Sequence, residues 1–147
     1  CTGKATIMDS WPESDGEAIH TSTFLGHPGG CAMALASLEK HSSPEISLEV
    51  THKGNRFKEL LENIKAIPKG SVRGMGLMLG LEIIDDQGKP NGTLVSKIIP
   101  RALKSGLITL ADGPGGHVIA FAPPFTISEE EMLFATQWLE TELKTSS

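Results

Sequence analysis

The stretch Ser71-Val72-Arg73-Gly74-Met75-Gly76-Leu77-Met78-Leu79-Gly80-Leu81-Glu82-Ile83-Ile84 decides the fold class. Leu77, Leu79, Leu81 and Ile83 alternate with Met78, Gly80 and Glu82, which is the period of a strand with one buried face. Gly74 and Gly76 place a bend or bulge between a short first strand and this longer one. The spacing Gly74-x-Gly76-x-x-x-Gly80 superficially matches a dinucleotide fingerprint. It is not G-x-G-x-x-G, and no helix follows whose N-terminus could hold a pyrophosphate.

Upstream of the strands, Ser43-Pro44 opens a helix, with Ser43 as N-cap, Pro44 in the first turn and Glu45 favoured by the helix dipole. Ile46, Val50, Phe57, Leu60, Leu61, Ile64 and Ile67 recur along it at near-helical spacing, and Pro68 ends the run. Gly54 inside it costs about 1 kcal/mol relative to Ala, so its presence implies close approach to a neighbour. Before this helix, Gly29-Gly30 feeds a second one beginning CAMALASLEK. Its residues Cys31 to Leu38 are almost all small or apolar, which predicts burial over most of its circumference.

Downstream, Asp85 to Gly92 reads as an exposed turn, followed by a helix from about Thr93 to Lys104 that Pro100 should kink or shorten. Two short strands are expected at Leu107–Leu110 and His117–Ala122, joined by a turn through Asp112 and Gly113. Ser128 and Glu131 form a capping box for a last helix, Glu129 to about Leu143, whose stripe is Met132, Ala135, Thr136, Leu139 and Leu143. Only Lys144 to Ser147 reads as frayed. The order helix, helix, strands, helix, strands, helix implies an α/β (α+β) small domain: a small, mainly antiparallel sheet with helices packed on one face.

The 147 residues amount to one ordinary domain, with 39% hydrophobic and 21% charged residues excluding a disordered tail. No run approaches the roughly 18–20 apolar residues of a membrane span, and no secretory signal is visible. A net charge of −5 without a Lys/Arg cluster argues against nucleic acid and leaves small molecules and proteins as partners. The two cysteines, Cys1 and Cys31, form no disulfide framework, and Cys31 reads as a small apolar thiol, so reducing cytoplasm fits best. The start at Cys1 rather than Met is read as that of a fragment.

Few residues carry chemistry. His20, His27, His41, His52 and His117 show no ligand spacing, so no metal site is expected. Nothing resembles G-x-S-x-G. Glu129-Glu130-Glu131 is explained by the helix dipole. The loop His20-Thr21-Ser22-Thr23-Phe24, leading through Gly26-His27-Pro28 into a helix, is the best candidate. Hydroxyls beside flexible backbone ahead of a helix N-terminus suit a phosphate dianion, although such loops also simply cap and turn.

This loop also carries a family resemblance. Glu17 to Pro28 (EAIHTSTFLGHP), with Cys31 to Ala36 after it, resembles the class III aminotransferase segment H-x-S-T-F-x-G-N-P and its alanine-rich helix. Val72 to Glu82 resembles the family's V-R-G-x-G-L-M-x-G-x-E strand pair, and Phe121 to Ser128 its P-P-L-x-I-T/S stretch. Gly3 to Asp9 is similar to the G-R-x-E-I-M-D run that opens the region. The blocks agree in order and span nearly the whole chain.

The resemblance implies the C-terminal small domain (residues 31–147) of a fold-type I enzyme, preceded by an interface and phosphate-loop segment (residues 1–30). It implies pyridoxal 5'-phosphate as cofactor and a homodimer in which Thr23, with Ser22 second, contacts the phosphate held by the neighbouring subunit. It further implies amino transfer between an amine or amino acid and a 2-oxo acid. The family's Schiff-base lysine lies upstream and no lysine here matches it, so no catalytic residue is assigned and the isolated chain is expected to be inactive. Two positions depart from the pattern: His27 stands where the family has Asn, and Ala120 where many members place a carboxylate-binding Arg. The alternative reading is a non-enzymatic α/β module that binds a phosphate-bearing ligand or a protein partner.

Overall fold

A computed structural model of the chain describes residues 3–11, 16, 23–67 and 71–145. The backbone divides into two compact units, Cys1–Lys40 and His41–Ser147.

The first unit contains the short helix α1 (Ala5–Met8) and most of α2 (Pro28–His41). Helix α2 forms where the Gly29-Gly30 reading placed it, but the expected burial is not found. None of its residues is buried, and Met33, Leu35 and Leu38 are 76%, 63% and 62% exposed. The composition makes every side of this helix apolar or small. A helix hydrophobic all round needs cover on more than one side, and the described residues do not supply it.

The second unit holds α3 (Pro44–Glu62), β1 (Val72–Met75), β2 (Met78–Glu82), α4 (Gly92–Lys104), β3 (Leu110–Asp112), β4 (Val118–Phe121) and α5 (Glu129–Thr145). The four strands form one antiparallel sheet in the order β1-β2-β4-β3. One face carries Val72, Leu79, Leu81, Ile119 and Phe121, all buried against Phe57 and Leu61 of α3, Val95 and Ile98 of α4, and Met132 and Leu139 of α5. The helices therefore lie on one face, as the element order implied. Each such side chain contributes roughly 1.5–3 kcal/mol of transfer free energy.

The alternation read in Leu77, Leu79, Leu81 and Ile83 is the burial pattern observed, since all four are buried. Between β1 and β2 lies a two-residue loop, Gly76-Leu77, across which Met75 pairs with Met78. Gly76 has φ +53° at the first loop position, where the primed hairpin turns call for glycine. Gly54 of α3 packs against this loop: a Cβ there would lie 2.2 Å from the Gly76 carbonyl oxygen. Close approach was the reason inferred for a glycine at mid-helix.

The structure refines the element boundaries. Helix α4 starts at Gly92, because Asn91 Oδ1 accepts the Leu94 N–H at 3.0 Å and so caps it. Pro100 does not shorten α4, which runs on to Lys104 while Val95, Ile98 and Ala102 pack into the core; tertiary burial outweighs one missing backbone hydrogen bond. The strand expected at Leu107–Leu110 lies instead at Leu110–Asp112. Ahead of it, the Thr109 hydroxyl donates to the Ala120 carbonyl at 2.5 Å, where a ladder bond would otherwise continue. Pro68, taken as the end of α3's run, lies outside the described residues; α3 closes at Glu62, with Ile64 still buried.

Polar clasps join the elements. Lys53 Nζ donates to the Phe125 carbonyl at 2.8 Å and pairs with Glu49 at 2.7 Å. Arg56 bridges Glu59 on its own helix and Glu129 at the start of α5, and the bond to Glu129 raises its pKa further above the ordinary guanidinium value. Arg101 of α4 pairs with Glu142 of α5. The capping box is present: the Ser128 backbone N–H and hydroxyl both donate to Glu131 Oε2, and the Glu131 N–H donates to Ser128 Oγ.

Two outcomes follow from this packing. Gly54→Ala gains helix propensity of about 1 kcal/mol but meets backbone rather than a movable side chain, so overpacking of about 1–3 kcal/mol wins. Urea unfolding of the 147-residue chain should therefore show a lower midpoint. The Glu131 carboxyl is held below its ordinary value by the two Ser128 hydrogen bonds, backbone first. A depressed folded-state value means this stabilisation is present above the unfolded carboxyl range of about 4.3 and is lost as pH falls through the folded value. Acid titration of the chain followed by circular dichroism should lose this component in Glu131→Gln.

Candidate functional site

The phosphate-loop candidate falls within the first unit. Thr23 opens an exposed turn, Thr23 to Gly26, closed by a hydrogen bond from the His27 N–H to the Phe24 carbonyl at 3.1 Å. Gly26 takes φ +71°, a conformation that favours glycine, and turns the chain into α2. Pro28 occupies the first helical position, where its lack of an N–H costs nothing. Ser22, like His20 and Thr21, lies outside the described residues.

The helix N-terminus itself is less open to an anion than the sequence suggested. The Gly30 N–H donates to His27 Nδ1 at 3.1 Å and the Cys31 N–H to the His27 carbonyl at 2.9 Å, while Pro28 has no N–H. The His27 ring therefore takes the place of an N-cap side chain, accepting from the third helical residue as Asn or Ser would. It lies over Gly29, where a Cβ would sit 3.1 Å from the ring's Cε1. The departure at His27 thus carries a hydrogen bond of its own. Of the loop's donors, the exposed Thr23 hydroxyl is the described side chain that fits phosphate oxygens, and it does so without adding charge.

In the second unit, Ala120 sits at the centre of the sheet's open face. The register places Arg73, Gly80, Ala120 and Leu110 in one row across the four strands. Gly80 has no side chain and Ala120 only a methyl, so the middle of the row is a hollow, whose volume of about 550 Å³ is bounded also by Met78, Asp112 and Val118. Arg73 at its edge does not offer a free cation, because its guanidinium pairs with Glu82 Oε2 at 3.1 Å. Glu82 Oε1 meets His117 Nε2 at 3.0 Å, so both carboxylate oxygens are engaged. His117 is buried beneath the Gly113 to Gly116 turn. Sequence spacing did not link His117 to Glu82, which lies 35 residues away.

Residues 1–143 match the family profile described as aminotransferase class-III. The chain belongs to the class III aminotransferase family. It is 38% identical over 135 residues to the 5-aminovalerate aminotransferase DavT of Pseudomonas aeruginosa, covering 88% of this chain and 30% of that protein. It is 33% identical over 146 residues to the alanine/serine racemase of Pyrococcus horikoshii, covering 97% of this chain and 29% of the other. Among solved structures, a Bacillus anthracis aminotransferase superposes with a TM-score of 0.72 at 28% identity, over 90% of this chain and 32% of its own. The chain thus spans about 30% of the length of the curated relatives it matches.

The class III domain seen here has the small antiparallel sheet and one-sided helices of its fold-type I relatives. The family's cofactor is pyridoxal phosphate; among the described residues of the loop, the exposed Thr23 hydroxyl is a donor of the kind a phosphate accepts. No lysine here matches the family's cofactor-binding motif. Lys53, partly buried, spends its ammonium on Glu49 and the Phe125 carbonyl. Among the described residues no group of three or more His, Cys, Asp or Glu side chains is placed to hold a metal ion. No described helix is long and apolar enough to cross a membrane.

The empty row predicts its own tolerance. Ala120→Arg directs its side chain into the open hollow bounded by Met78, Asp112 and Val118, so the change in stability should stay within about 1 kcal/mol. A fall in the thermal midpoint of more than about 4 °C would contradict this reading of the face.

Proposed function

We propose that this domain is the C-terminal part of a pyridoxal-phosphate-dependent class III aminotransferase that moves an amino group between an amine or amino acid and a 2-oxo acid. The observation that carries the reading is the family match over residues 1–143. When bound, the cofactor supplies the electron sink for chemistry at the amine-bearing carbon. The work of this chain's residues is narrower. Thr23, with Ser22 beside it in sequence, donates hydrogen bonds to the phosphate held by the neighbouring subunit of a homodimer. Residues 1–30 then form the interface and phosphate-loop segment, and 31–147 the small domain. The protein acts in the cytoplasm.

Ala120 bears on the substrate. Where the family pattern has an Arg that clamps a carboxylate, this chain has a methyl beside Gly80, and the nearby Arg73 is committed to Glu82. The substrate carboxylate is therefore held by residues upstream, or the amino donor is not an ordinary α-amino acid. The similarity to a racemase supports a second reading, in which the same fold serves isomerisation.

Purified full-length protein, incubated with pyridoxal phosphate and then desalted, should retain the cofactor's visible absorbance and transfer amino groups to a 2-oxo acid. Colourless protein would sink the proposal, and racemisation without amino transfer would establish the second reading. Thr23→Val should weaken cofactor binding about tenfold or more, because a hydrogen bond to a charged group is lost. Ala120→Arg should raise kcat/KM for carboxylate-bearing amino donors relative to simple amines. The 147-residue chain alone should show no turnover.

A further inference from the structure

The hollow on the open sheet face has a charge pattern of its own. Its floor is the Gly80–Ala120 pair, and packing keeps that floor low, since a Cβ on Gly80 would lie 3.0 Å from Val118 Cγ1. Met78 and Val118 give the hollow apolar sides, which suit a short chain of methylene groups. The strand register also brings Arg73, Glu82 and Asp112 onto this face. Arg73 and Glu82 neutralise one another across 3.1 Å. Asp112, on the edge strand β3, has no such partner. Its Oδ1 accepts the Gly113 N–H at 2.7 Å, which orients the carboxylate, and among the described residues nothing meets its Oδ2. Where the family pattern has a cation, the hollow therefore has a methyl, and the charge left over at its rim is negative. A substrate carboxylate entering here would meet a like charge, whereas an ammonium would find its counter-charge.

We propose that the hollow receives the far end of an amino donor that carries a second positive charge in place of a carboxylate, a diamine, and that Asp112 is the residue that selects it. The proposal rests on the reading of this domain as part of an aminotransferase, with the Ala120 position at the substrate. One amine reacts, the methylene spacer passes over Gly80 and Ala120 beside Met78 and Val118, and the second ammonium faces Asp112. Pairing with a carboxylate at an open rim is worth only a few fold. Discrimination is widened by repulsion of a donor that ends in a carboxylate.

The test uses full-length protein loaded with pyridoxal phosphate, a 2-oxo acid as acceptor, and donors of one length: 1,5-diaminopentane, 1-aminopentane and 5-aminopentanoate. Their kcat/KM values should fall in that order. At low salt the diamine should stand about tenfold above the monoamine, roughly twofold from its two equivalent amines and about fivefold from the ion pair. The margin should shrink as salt is raised. In Asp112→Asn the amide oxygen can still accept the Gly113 N–H, so the turn stands. The diamine-to-monoamine ratio should then fall to about two, the statistical value left once the ion pair is gone. Ala120→Arg, which sets a cation beside Asp112, should invert the order in favour of 5-aminopentanoate. A ratio that Asp112→Asn leaves unchanged, or a natural sequence that prefers 5-aminopentanoate, overturns the proposal and leaves the aminotransferase reading intact. Loss of the cofactor's absorbance on desalting, with no transfer from any of these donors, would overturn both.

Discussion

The second unit is organised around the contact between helix α3 and the β1–β2 hairpin. Gly54 brings the helix backbone onto the carbonyl of Gly76, at a separation no Cβ could share. Phe57 and Leu61, one and two turns further along α3, are then held over the buried face of the sheet. Phe57 meets Phe121 edge-on at 5.3 Å, which ties α3 to β4 across β2. The same helix reaches α5 through Arg56 and Glu129, and the Pro123-Pro124-Phe125 corner through Lys53. Without glycine at both positions α3 would have to lift away from the hairpin, and the layers beneath it would lose their close packing.

One-sided packing of this kind leaves the other sheet face free. Arg73, Met78, Glu82, Leu110 and Asp112 point away from the core, and Gly80 and Ala120 leave a hollow between them. The stability of the domain thus comes mainly from one face. The Arg73 cation on that face is already spent, since Glu82 is shared by Arg73 and His117, and Asp112 accepts the Gly113 N–H. That is why the departure at Ala120 matters: no described neighbour in the row offers a spare cation in its place.

Much of this fold was legible in the chain itself. The period-two run from Leu77 to Ile83, the Ser128–Glu131 capping box and the stripe from Met132 to Leu143 each occur as read, because each is set by local spacing. The errors have a common physical origin. Asn91 was passed over as a cap, the strand near Leu110 was placed too early, and Pro100 was given too much weight. In each case a tertiary contact or a side-chain hydrogen bond outweighed a local preference. Helix α2 shows the converse: its composition states that it must be covered, but composition carries no information about by what.

The candidate site divides in the same way. Sequence alone determined the family, through ordered blocks running from the Thr23 loop to the Pro123-Pro124 corner, and with it the kind of chemistry at stake. It also marked His27 and Ala120 as departures, because identity at a position needs no coordinates. Only the tertiary structure decided what those departures do. The turn before α2 brings the His27 ring over Gly29 so that its nitrogen becomes the cap, and the strand register sets Ala120 beside Gly80 with Arg73 already paired. A hydrogen bond and an empty row depend on the distance and direction between groups, and these exist only once the backbone has folded.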